Sequence, residues 1–303
     1  MKVLVTGGTG LIGRALASAL DSRGDEILIL SRNPDKAQGL PKGARVHRWD
    51  GKTAQGWGHL VEGVDAVVNL AGANIASGRW TARRKREIVE SRLNAGKAAL
   101  QAIKAAEHRP EVLVQASAVG YYGPHGDEVV TEESPPGNDF LARLAVEWEK
   151  STARVEEMGV RHAVIRTGIV LSTEGGALPR MMLPFRFFAG GVLGSGRQWM
   201  SWIHIADEVS AILFLLDNRE LHGPFNLTAP NPVTNAEFTK TLAQTLGKPA
   251  FMKVPSFALK AIFGEMATVL LDGQRAVPKR LQDAGFKFQF PELAPALKDL
   301  LNR

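Results

Sequence analysis

The sequence predicts an α/β fold, a doubly wound parallel sheet followed by a smaller C-terminal lobe. Three observations support this prediction. A short apolar run over residues 2–6 ends in a glycine-rich turn and leads into a helical segment. Further apolar runs then alternate with helical segments up to about residue 170, which is the pattern of a parallel sheet covered on both faces. Beyond residue 170 this strict alternation lapses.

The glycine turn is the most specific feature. Gly7, Gly10 and Gly13 are spaced three apart between the first predicted strand and the first helix. Gly7 permits a sharp turn, Gly10 lets the backbone approach a pyrophosphate, and Gly13 lets the helix pack against the strand. The free N–H groups at the helix N-terminus attract an anion. This context predicts a dinucleotide site that also includes Thr9, Leu11 and Ile12, and the alternative is a purely structural turn.

The second apolar run, residues 26–30, indicates which dinucleotide is bound. An Asp or Glu about 20 residues past the glycines usually holds the ribose hydroxyls of NAD. Here the run ends in Ser31 and Arg32. A carboxylate would repel a 2′-phosphate, whereas a hydroxyl and a guanidinium would bind it, so these residues predict NADP(H) as cofactor. The alternative is that Arg32 is a solvated turn residue.

The remaining predicted strands end in small or polar residues. Asp50 follows the third strand, residues 45–49, where it either hydrogen-bonds an adenine amino group or opens a turn with Gly51. Ligands of parallel sheets bind at the carboxyl ends of the strands. We therefore expect the site to include residues that follow the later strands: Ala71, Gly72, Ser117 and Thr167.

The helical segments and the change of pattern suggest two parts. Helices are predicted over residues 81–106, 140–158, 207–217 and 235–246. Residues 1–170 would form the dinucleotide-binding domain, and residues 171–303 a smaller lobe forming one wall of a substrate cleft. No linker separates the two cleanly.

Composition narrows the function further. The 303-residue chain has a net charge of +6 and a pI near 9.6, and it contains no cysteine. The basic run at residues 83–86 is followed by two glutamates, which is typical of a solvated helix face, so we expect no nucleic-acid partner. No apolar run is long enough to span a membrane and no signal peptide is recognisable, which predicts a cytoplasmic protein without a membrane partner. No metal site is predicted. The expected partner is a small-molecule substrate, and the basic surface would suit an anionic one. The sequence does not predict the oligomeric state.

Several motifs carry a resemblance to a known family. They are 6–13 (TGGTGLIG), 69–72 (NLAG), 117–123 (SAVGYYG), 140–142 (FLA) with 148–149 (WE), 166–168 (RTG) and 202–207 (WIHIAD). With them, the chain resembles the extended short-chain dehydrogenases/reductases of the NAD-dependent epimerase/dehydratase superfamily, in the branch of predicted nucleoside-diphosphate-sugar epimerases. The resemblance implies a Rossmann fold, a bound NADP and a C-terminal substrate lobe, and its motifs add Leu70 and Arg166 to the cofactor site.

The residues that usually catalyse reactions in that superfamily are missing. The resemblance implies a Tyr four residues before a Lys, but the only tyrosines are Tyr121 and Tyr122, and neither is followed by Lys at that spacing. Phe140 and Leu144 stand where the pair is expected. The candidate replacements are either tyrosine as a phenol, assisted by Ser117, or a proton carried by a histidine. The candidate histidines are His125 and His204, and Arg79, Trp80 and Arg197 are candidates for lining the substrate site.

Two function classes therefore remain open. One is an NADP-dependent oxidoreductase or epimerase acting on a small carbonyl or hydroxyl substrate, with a nucleotide sugar as one candidate. The other is a non-catalytic NADPH-binding protein, such as a redox sensor or regulatory protein.

Overall fold

The computed structural model describes residues 1–302, which form fifteen strands and ten α-helices. The strands are β1 (Lys2–Thr6), β2 (Glu26–Ser31), β3 (Ala44–Arg48), β4 (Ala66–Asn69), β5 (Val112–Ala118), β6 (Val129–Val130), β7 (Arg161–Thr167), β8 (Ile169–Leu171), β9 (Gly191–Leu193), β10 (Trp199–Met200), β11 (Trp202–His204), β12 (Gly223–Leu227), β13 (Val233–Thr234), β14 (Met252–Val254) and β15 (Arg275–Ala276). The helices are α1 (Leu11–Ser22), α2 (Ala82–Ala105), α3 (Phe140–Ala153), α4 (Leu178–Arg186), α5 (Ile205–Asp217), α6 (Asn235–Leu246), α7 (Ser256–Phe263), α8 (Thr268–Leu271), α9 (Lys279–Asp283) and α10 (Leu293–Leu300).

Seven strands form one central sheet in the order β3-β2-β1-β4-β5-β7-β12, and every pair in it is parallel. The chain runs outward from β1 through β2 to β3, and then crosses back to place β4 on the other side of β1. This reversal opens a crevice at the carboxyl ends of β1 and β4, where open α/β sheets bind their ligands. The predicted α/β fold with a Rossmann-type parallel sheet is confirmed.

Successive side chains of β1 point to opposite faces of the sheet, so the hydrophobic core has one part on each face. Val3 and Val5 pack toward α1 and α5, in a cluster that includes Leu16 and Leu215. Leu4 points to the opposite face, in a cluster built from β2, β4 and α2. Both faces are covered, which explains why the strands are apolar almost throughout.

The C-terminal lobe has its own smaller core, formed by β8, β11, α4, α6 and α10 around Trp202 and Phe238. The chain does not stay in this lobe after residue 170. It returns to the central sheet with α5, which packs on one face, and with β12, which pairs with β7 at the edge. The lobe and the sheet are therefore interleaved along the sequence.

Most predicted helices match the structure within two residues, and the main difference lies at the end of α3. The sequence predicts one helix over residues 140–158, but α3 ends at Ala153 and a separate 3-10 helix covers Glu156–Met158. The break lets Val155, which is fully buried, turn into the second core cluster.

Within residues 1–302, no helix is both long enough and apolar enough to cross a membrane.

Candidate cofactor and active site

The glycine turn joins β1 to α1 at the crevice. The Gly10 N–H donates to the Gly7 carbonyl at 2.9 Å, and Gly10 is the N-cap of α1. No side chain caps this helix, and no acidic residue lies in its first turn. The N–H groups of the first turn, including those of Leu11 and Ile12, are thus not satisfied by a cap and face the crevice with the positive end of the helix dipole.

Each glycine of the turn is required for a different contact. Gly7 has a φ of +69°, and a Cβ there would lie 2.8 Å from the carbonyl carbon and oxygen of Leu70. A Cβ on Gly13 would lie 2.4 Å from the Gly7 carbonyl oxygen. A Cβ on Gly10 would meet only that same oxygen, at 3.2 Å, so the space beyond Gly10 is open. The backbone of the turn therefore packs against the protein at Gly7 and Gly13 and is open toward the crevice at Gly10. We call this turn the cradle.

The second strand ends beside this cradle. Ser31 is buried and its Oγ accepts a hydrogen bond from the Asn33 N–H at 3.2 Å. Arg32 is exposed and its side chain packs close to Gly51. Within the described residues its guanidinium forms no ion pair and no hydrogen bond, so its charge is available to an external anion.

Asp50 lies in a turn. Its carboxylate accepts hydrogen bonds from the N–H groups of Lys52 and Thr53 at 2.7 and 2.8 Å, and from the Thr53 hydroxyl at 2.8 Å. Although the slight burial of the carboxyl works against it, these hydrogen bonds hold the pKa of Asp50 below its ordinary value. Of the two interpretations of Asp50, the structure favours the turn, because both carboxylate oxygens already have partners within it.

A chain of buried polar side chains lies under the crevice. The Thr6 hydroxyl at the end of β1 donates to Asn69 Oδ1 at 2.5 Å, and Asn69 Nδ2 donates to Gln115 Oε1 at 2.8 Å. Thr6 Oγ1 also accepts the Ala71 N–H at 3.3 Å. These bonds fix the ends of β1, β4 and β5 relative to one another, so the backbone that borders the crevice is held from below.

The segment that follows β4 is held by a buried cation. Arg92 of α2 donates to the Ala73 carbonyl at 3.0 Å, and its guanidinium lies 4.8 Å from the centre of the Trp148 ring. A Cβ on Gly72 would lie 3.1 Å from the Arg92 guanidinium carbon, so only glycine leaves this packing undisturbed. Because Arg92 forms no ion pair within residues 1–302, burial lowers its pKa to about 10, with a smaller contribution from Arg84.

At the ends of β5 and β7, Arg166 and Glu149 form a mostly buried ion pair whose polar atoms also bind other protein groups. Arg166 donates to both carboxylate oxygens of Glu149, at 2.9 and 3.0 Å, and the Ser117 hydroxyl donates to the same carboxylate at 2.6 Å. Arg166 is 4% exposed. Burial would lower the pKa of Arg166, but the hydrogen bonds and charge of Glu149 more than offset this and raise it. Arg166 was expected to contact the cofactor, and its guanidinium instead binds protein groups.

Tyr122 belongs to the same closed network. Its hydroxyl donates to Asn226 Oδ1 at 2.6 Å and accepts from Arg166 at 3.1 Å, and the side chain is 1% exposed. Burial raises the pKa of Tyr122 to about 12, despite the opposing effect of Arg166. The expected role of Tyr122 as a proton donor is not supported by this geometry, because its hydroxyl is enclosed and its proton is already engaged.

Tyr121 has a different environment. Its ring is half-buried, packs edge-on against Tyr122 with centroids 5.3 Å apart, and lies 3.4 Å from the guanidinium carbon of Arg166. No described residue hydrogen-bonds to its hydroxyl. Of the candidate proton donors at the end of β5, Tyr121 is therefore the one whose polar end is free for a ligand.

Thr167, the last residue of β7, also binds inward. Its hydroxyl donates to Glu208 Oε1 at 2.9 Å. Glu208 is fully buried in α5, and burial raises its pKa to about 8 even though the Thr167 hydrogen bond works in the opposite direction. The Thr167 hydroxyl is therefore directed toward α5 and is already engaged with a protein group.

The structure places His204 away from this cluster. Its Nδ1 accepts the Ala206 N–H at 3.1 Å as the N-cap of α5, its Nε2 lies 3.2 Å from an Asp299 oxygen, and its ring stacks on Phe290. Burial lowers its pKa. The catalytic role predicted for His204 has no support from this position, since the ring is enclosed between α5 and the lobe.

Phe140 and Leu144, which stand where the Tyr/Lys pair of the superfamily was expected, lie in apolar surroundings. Leu144 is buried and clusters with Trp80, and Phe140 packs edge-on against that same indole at 5.2 Å. Trp80 is buried, and Arg79 donates to the Ala261 carbonyl of α7 at 3.2 Å, so this pair of candidate substrate residues joins the sheet domain to the lobe.

Sequence reasoning missed the polar residues that hold the site together. Asn69 and Gln115 interrupt apolar strands, and Glu149 lies on the buried face of α3 beside Trp148. A lone polar side chain in such a position requires a buried partner. That signal was present in the sequence, but it does not identify the partner.

These features define a Rossmann-type α/β protein with a glycine turn at the switch point of its sheet. The model of the NAD dependent epimerase/dehydratase family matches residues 3–227, and the chain belongs to this family. A second model, a domain of unknown function (DUF1731), matches residues 254–300. The resemblance predicted from the motifs is thereby confirmed.

Similar proteins cover the whole chain. It is 40% identical over 302 residues to the epimerase family protein YfhF of Bacillus subtilis (strain 168), which covers 99% of this chain and 98% of that protein. The crystal structure of human epimerase family protein SDR39U1 (isoform2) with NADPH is 38% identical, with a TM-score of 0.90 and coverage of 100% of both chains. The nucleoside-diphosphate sugar epimerase from Corynebacterium glutamicum is 34% identical with a TM-score of 0.78, covering 99% of this chain and 58% of that one.

Proposed function

We propose that the protein binds NADPH in the crevice and is an oxidoreductase or epimerase-like enzyme for a small carbonyl or hydroxyl substrate. The observation that supports this most directly is the combination of an uncapped α1 N-terminus with the unpaired Arg32 at the end of the next strand. The first suits a pyrophosphate, and the second suits a 2′-phosphate. The similar human protein was crystallised with NADPH, which agrees with this assignment.

The residues of the crevice fit such a cofactor. The backbone at Gly10 is open to solvent, and the first-turn N–H groups would receive the pyrophosphate. Ser31 and Arg32 would hold the adenosine ribose and its phosphate, while the backbone at Leu70, Ala71 and Gly72 would border the far side. A bound nicotinamide would supply or accept the hydride in the reaction.

The protein's own part in the reaction is to move a proton and to position the substrate. Tyr121 would exchange a proton with the substrate oxygen through its free hydroxyl. The Arg166–Glu149 ion pair holds the Tyr121 ring from one side, and Ser117 is bound to the same carboxylate. A nucleotide sugar is one candidate substrate, because the similar protein from C. glutamicum is called a nucleoside-diphosphate sugar epimerase.

The cofactor proposal is tested by titrating NADPH and NADH into the protein and its Arg32→Ala variant. A charge-assisted contact to a phosphate is worth roughly 1.5–3 kcal/mol, so the variant should bind NADPH about 10- to 150-fold more weakly and NADH with unchanged affinity. Arg154→Ala, an exposed cation at the end of α3, is the matched control and should alter neither affinity. Equal affinities for the two cofactors in the parent protein would contradict the preference for NADPH.

The catalytic proposal is tested by following NADPH oxidation over a panel of carbonyl substrates with Tyr121→Phe. Loss of a positioned general acid should lower turnover by roughly 10²- to 10⁴-fold. NADPH affinity and the thermal midpoint should stay as in the parent, because the Tyr121 hydroxyl has no protein partner to lose. Unchanged turnover in this variant would remove Tyr121 from the mechanism.

A second candidate function is an NADPH-responsive regulatory protein without turnover. It is favoured by Phe140 and Leu144, whose apolar packing fills the positions expected for the superfamily pair. The two functions differ in one result: a sensor binds NADPH with the same Arg32 dependence but oxidises it with no substrate of the panel.

A further inference from the structure

One surface of the lobe exposes large apolar side chains that the fold itself does not use. We call it the apolar-basic face. Its apolar members are Leu183, Phe187, Phe188, Phe251, Met252, Phe257 and Ile262. Phe187 and Phe251 are each 73% exposed and Phe257 is 76% exposed. Single exposed apolar residues need no explanation, but a concentration of them marks an interaction surface.

Two chain segments bring these residues together. Phe187 and Phe188 follow the last residue of α4 and come just before β9, and Phe251 precedes β14. Strands β9 and β14 pair in parallel with Gly191 opposite Met252, which places both groups of aromatic residues at the same end of this small sheet. Helix α7 begins at Ser256, past the other end of the three-residue strand β14, and exposes Phe257 and Ile262 next along the chain.

The backbone at Phe188 supports an interaction. Phe188 has a φ of +56°, in the left-handed region where bulky residues are rare. It follows the C-terminus of α4, and the next residue, Ala189, donates its N–H to the Pro184 carbonyl at 2.9 Å. Glycine would adopt this conformation without strain. A phenylalanine that is 55% exposed gains little burial in exchange, so its ring is suited to a partner outside the fold.

The chain segments that carry the apolar residues contain charges of one sign. Residues 175–206 and 238–264, which contain the whole face, include no Asp or Glu. They contain seven cations: Arg180, Arg186, Arg197, Lys240, Lys248, Lys253 and Lys260. None of the seven forms an ion pair within the described residues, and Lys248 lies 4.3 Å from the centre of the Phe188 ring. The partner should therefore be both apolar and negatively charged.

We propose that the apolar-basic face binds the surface of an anionic phospholipid bilayer. Protruding aromatic side chains insert at the level of the headgroups, and the surrounding cations attract anionic lipids. A second copy of the chain fits less well, because a two-fold interface would place these cations against themselves. The sequence led us to expect no membrane partner because no segment can span one, but a protein that lies on a surface needs no spanning segment.

A cavity of about 340 Å³ adjoins the face and fits the same partner. Its lining includes Val192, Ala243 and Ala250 together with Lys240 and Lys248. Lys248 is shared between the cavity and Phe188. The combination of apolar walls and lysines is suited to a phospholipid headgroup with its attached glycerol.

The test is flotation of the full-length protein with vesicles. Vesicles of phosphatidylcholine with about one-third phosphatidylglycerol should carry the protein at low salt, and high salt or pure phosphatidylcholine should release it. The double variant Arg186→Glu/Lys253→Glu should lower partitioning about 30-fold or more, since each cation near an anionic surface contributes about fivefold. Phe187→Ser/Phe257→Ser should weaken binding at low salt although every cation is kept, because it removes inserted apolar area.

Matched controls lie elsewhere on the molecule. Lys104→Glu on α2 and Val129→Ser at an exposed strand change charge and apolar surface away from the face, and should leave partitioning unchanged. NADPH affinity should be unaltered in all these variants, which shows that they are folded. Absence of flotation, equal loss in the controls, or a dimer that the phenylalanine variants dissociate would each overturn the proposal, the last in favour of a second copy.

Discussion

The two ends of the crevice differ in how their polar groups are satisfied. At the ends of β1 and β2, the first-turn N–H groups of α1 have no cap, and the guanidinium of Arg32 has no partner within residues 1–302. At the ends of β5 and β7, the opposite holds: Arg166, Glu149 and Tyr122 bind one another and are mostly buried. We call these the open end and the closed end.

The open end and the closed end are therefore expected to contribute to different properties, ligand binding and stability. Polar groups without protein partners contribute little to folding and are free for a ligand, whereas a buried, mutually bonded network is costly to disturb. We therefore expect substitutions at the open end to change cofactor affinity and those at the closed end to change the free energy of unfolding. Tyr121 lies between them, since its ring contacts the closed end and its hydroxyl is free.

The largest effect on stability is expected from Arg166→Met at the closed end. It leaves the mostly buried carboxylate of Glu149 without its cation, which should lower the free energy of unfolding by about 3–5 kcal/mol. Urea denaturation measures this. The control Arg154→Met removes an exposed ion pair with Glu157 and should cost less than about 0.5 kcal/mol. Unchanged stability in Arg166→Met together with weaker NADPH binding would show that this end is open after all.

Glu208 predicts a pH dependence for the closed end. Its pKa is about 8 in the folded protein, raised from the ordinary 4.5. Between these values the folded state holds a proton that the unfolded state has lost, so stability falls as pH rises, by up to about 1.4 kcal/mol per pH unit. Glu208→Gln should remove this slope between pH 5 and 8. Glu90→Gln, at an exposed position of α2, should keep it, and a slope shared by parent and Glu208→Gln would assign it to other groups.

The smallest effect on stability is expected at the open end. Arg32→Ala should change the free energy of unfolding of the cofactor-free protein by no more than about 0.5 kcal/mol, because the side chain is exposed and unpaired. The same denaturation experiment measures it. A loss of several kcal/mol would mean that Arg32 is part of the fold, and the contrast between the two ends would disappear.

The features of the open end follow from local sequence, and those of the closed end do not. Gly7, Gly10 and Gly13 act through backbone geometry that the adjacent strand and helix already determine. The role proposed for Arg32 follows from its distance along the chain from the glycines. In contrast, Arg166 and Tyr122 were expected to face ligands, because nothing near them in sequence shows that Glu149 and Asn226 would bind them first.

The sequence by itself determined the parallel sheet and the glycine turn, because these depend on local periodicity and on short-range backbone sterics. Only the tertiary structure decided which polar groups bind one another: Asn69 with Gln115, and Glu149 with Arg166. It also decided that α5 and β12 return to the sheet and that aromatic residues more than 60 positions apart lie at the same end of one small sheet. Such contacts join residues distant in the chain, and their free energy depends on burial and geometry that exist only once the whole fold has formed.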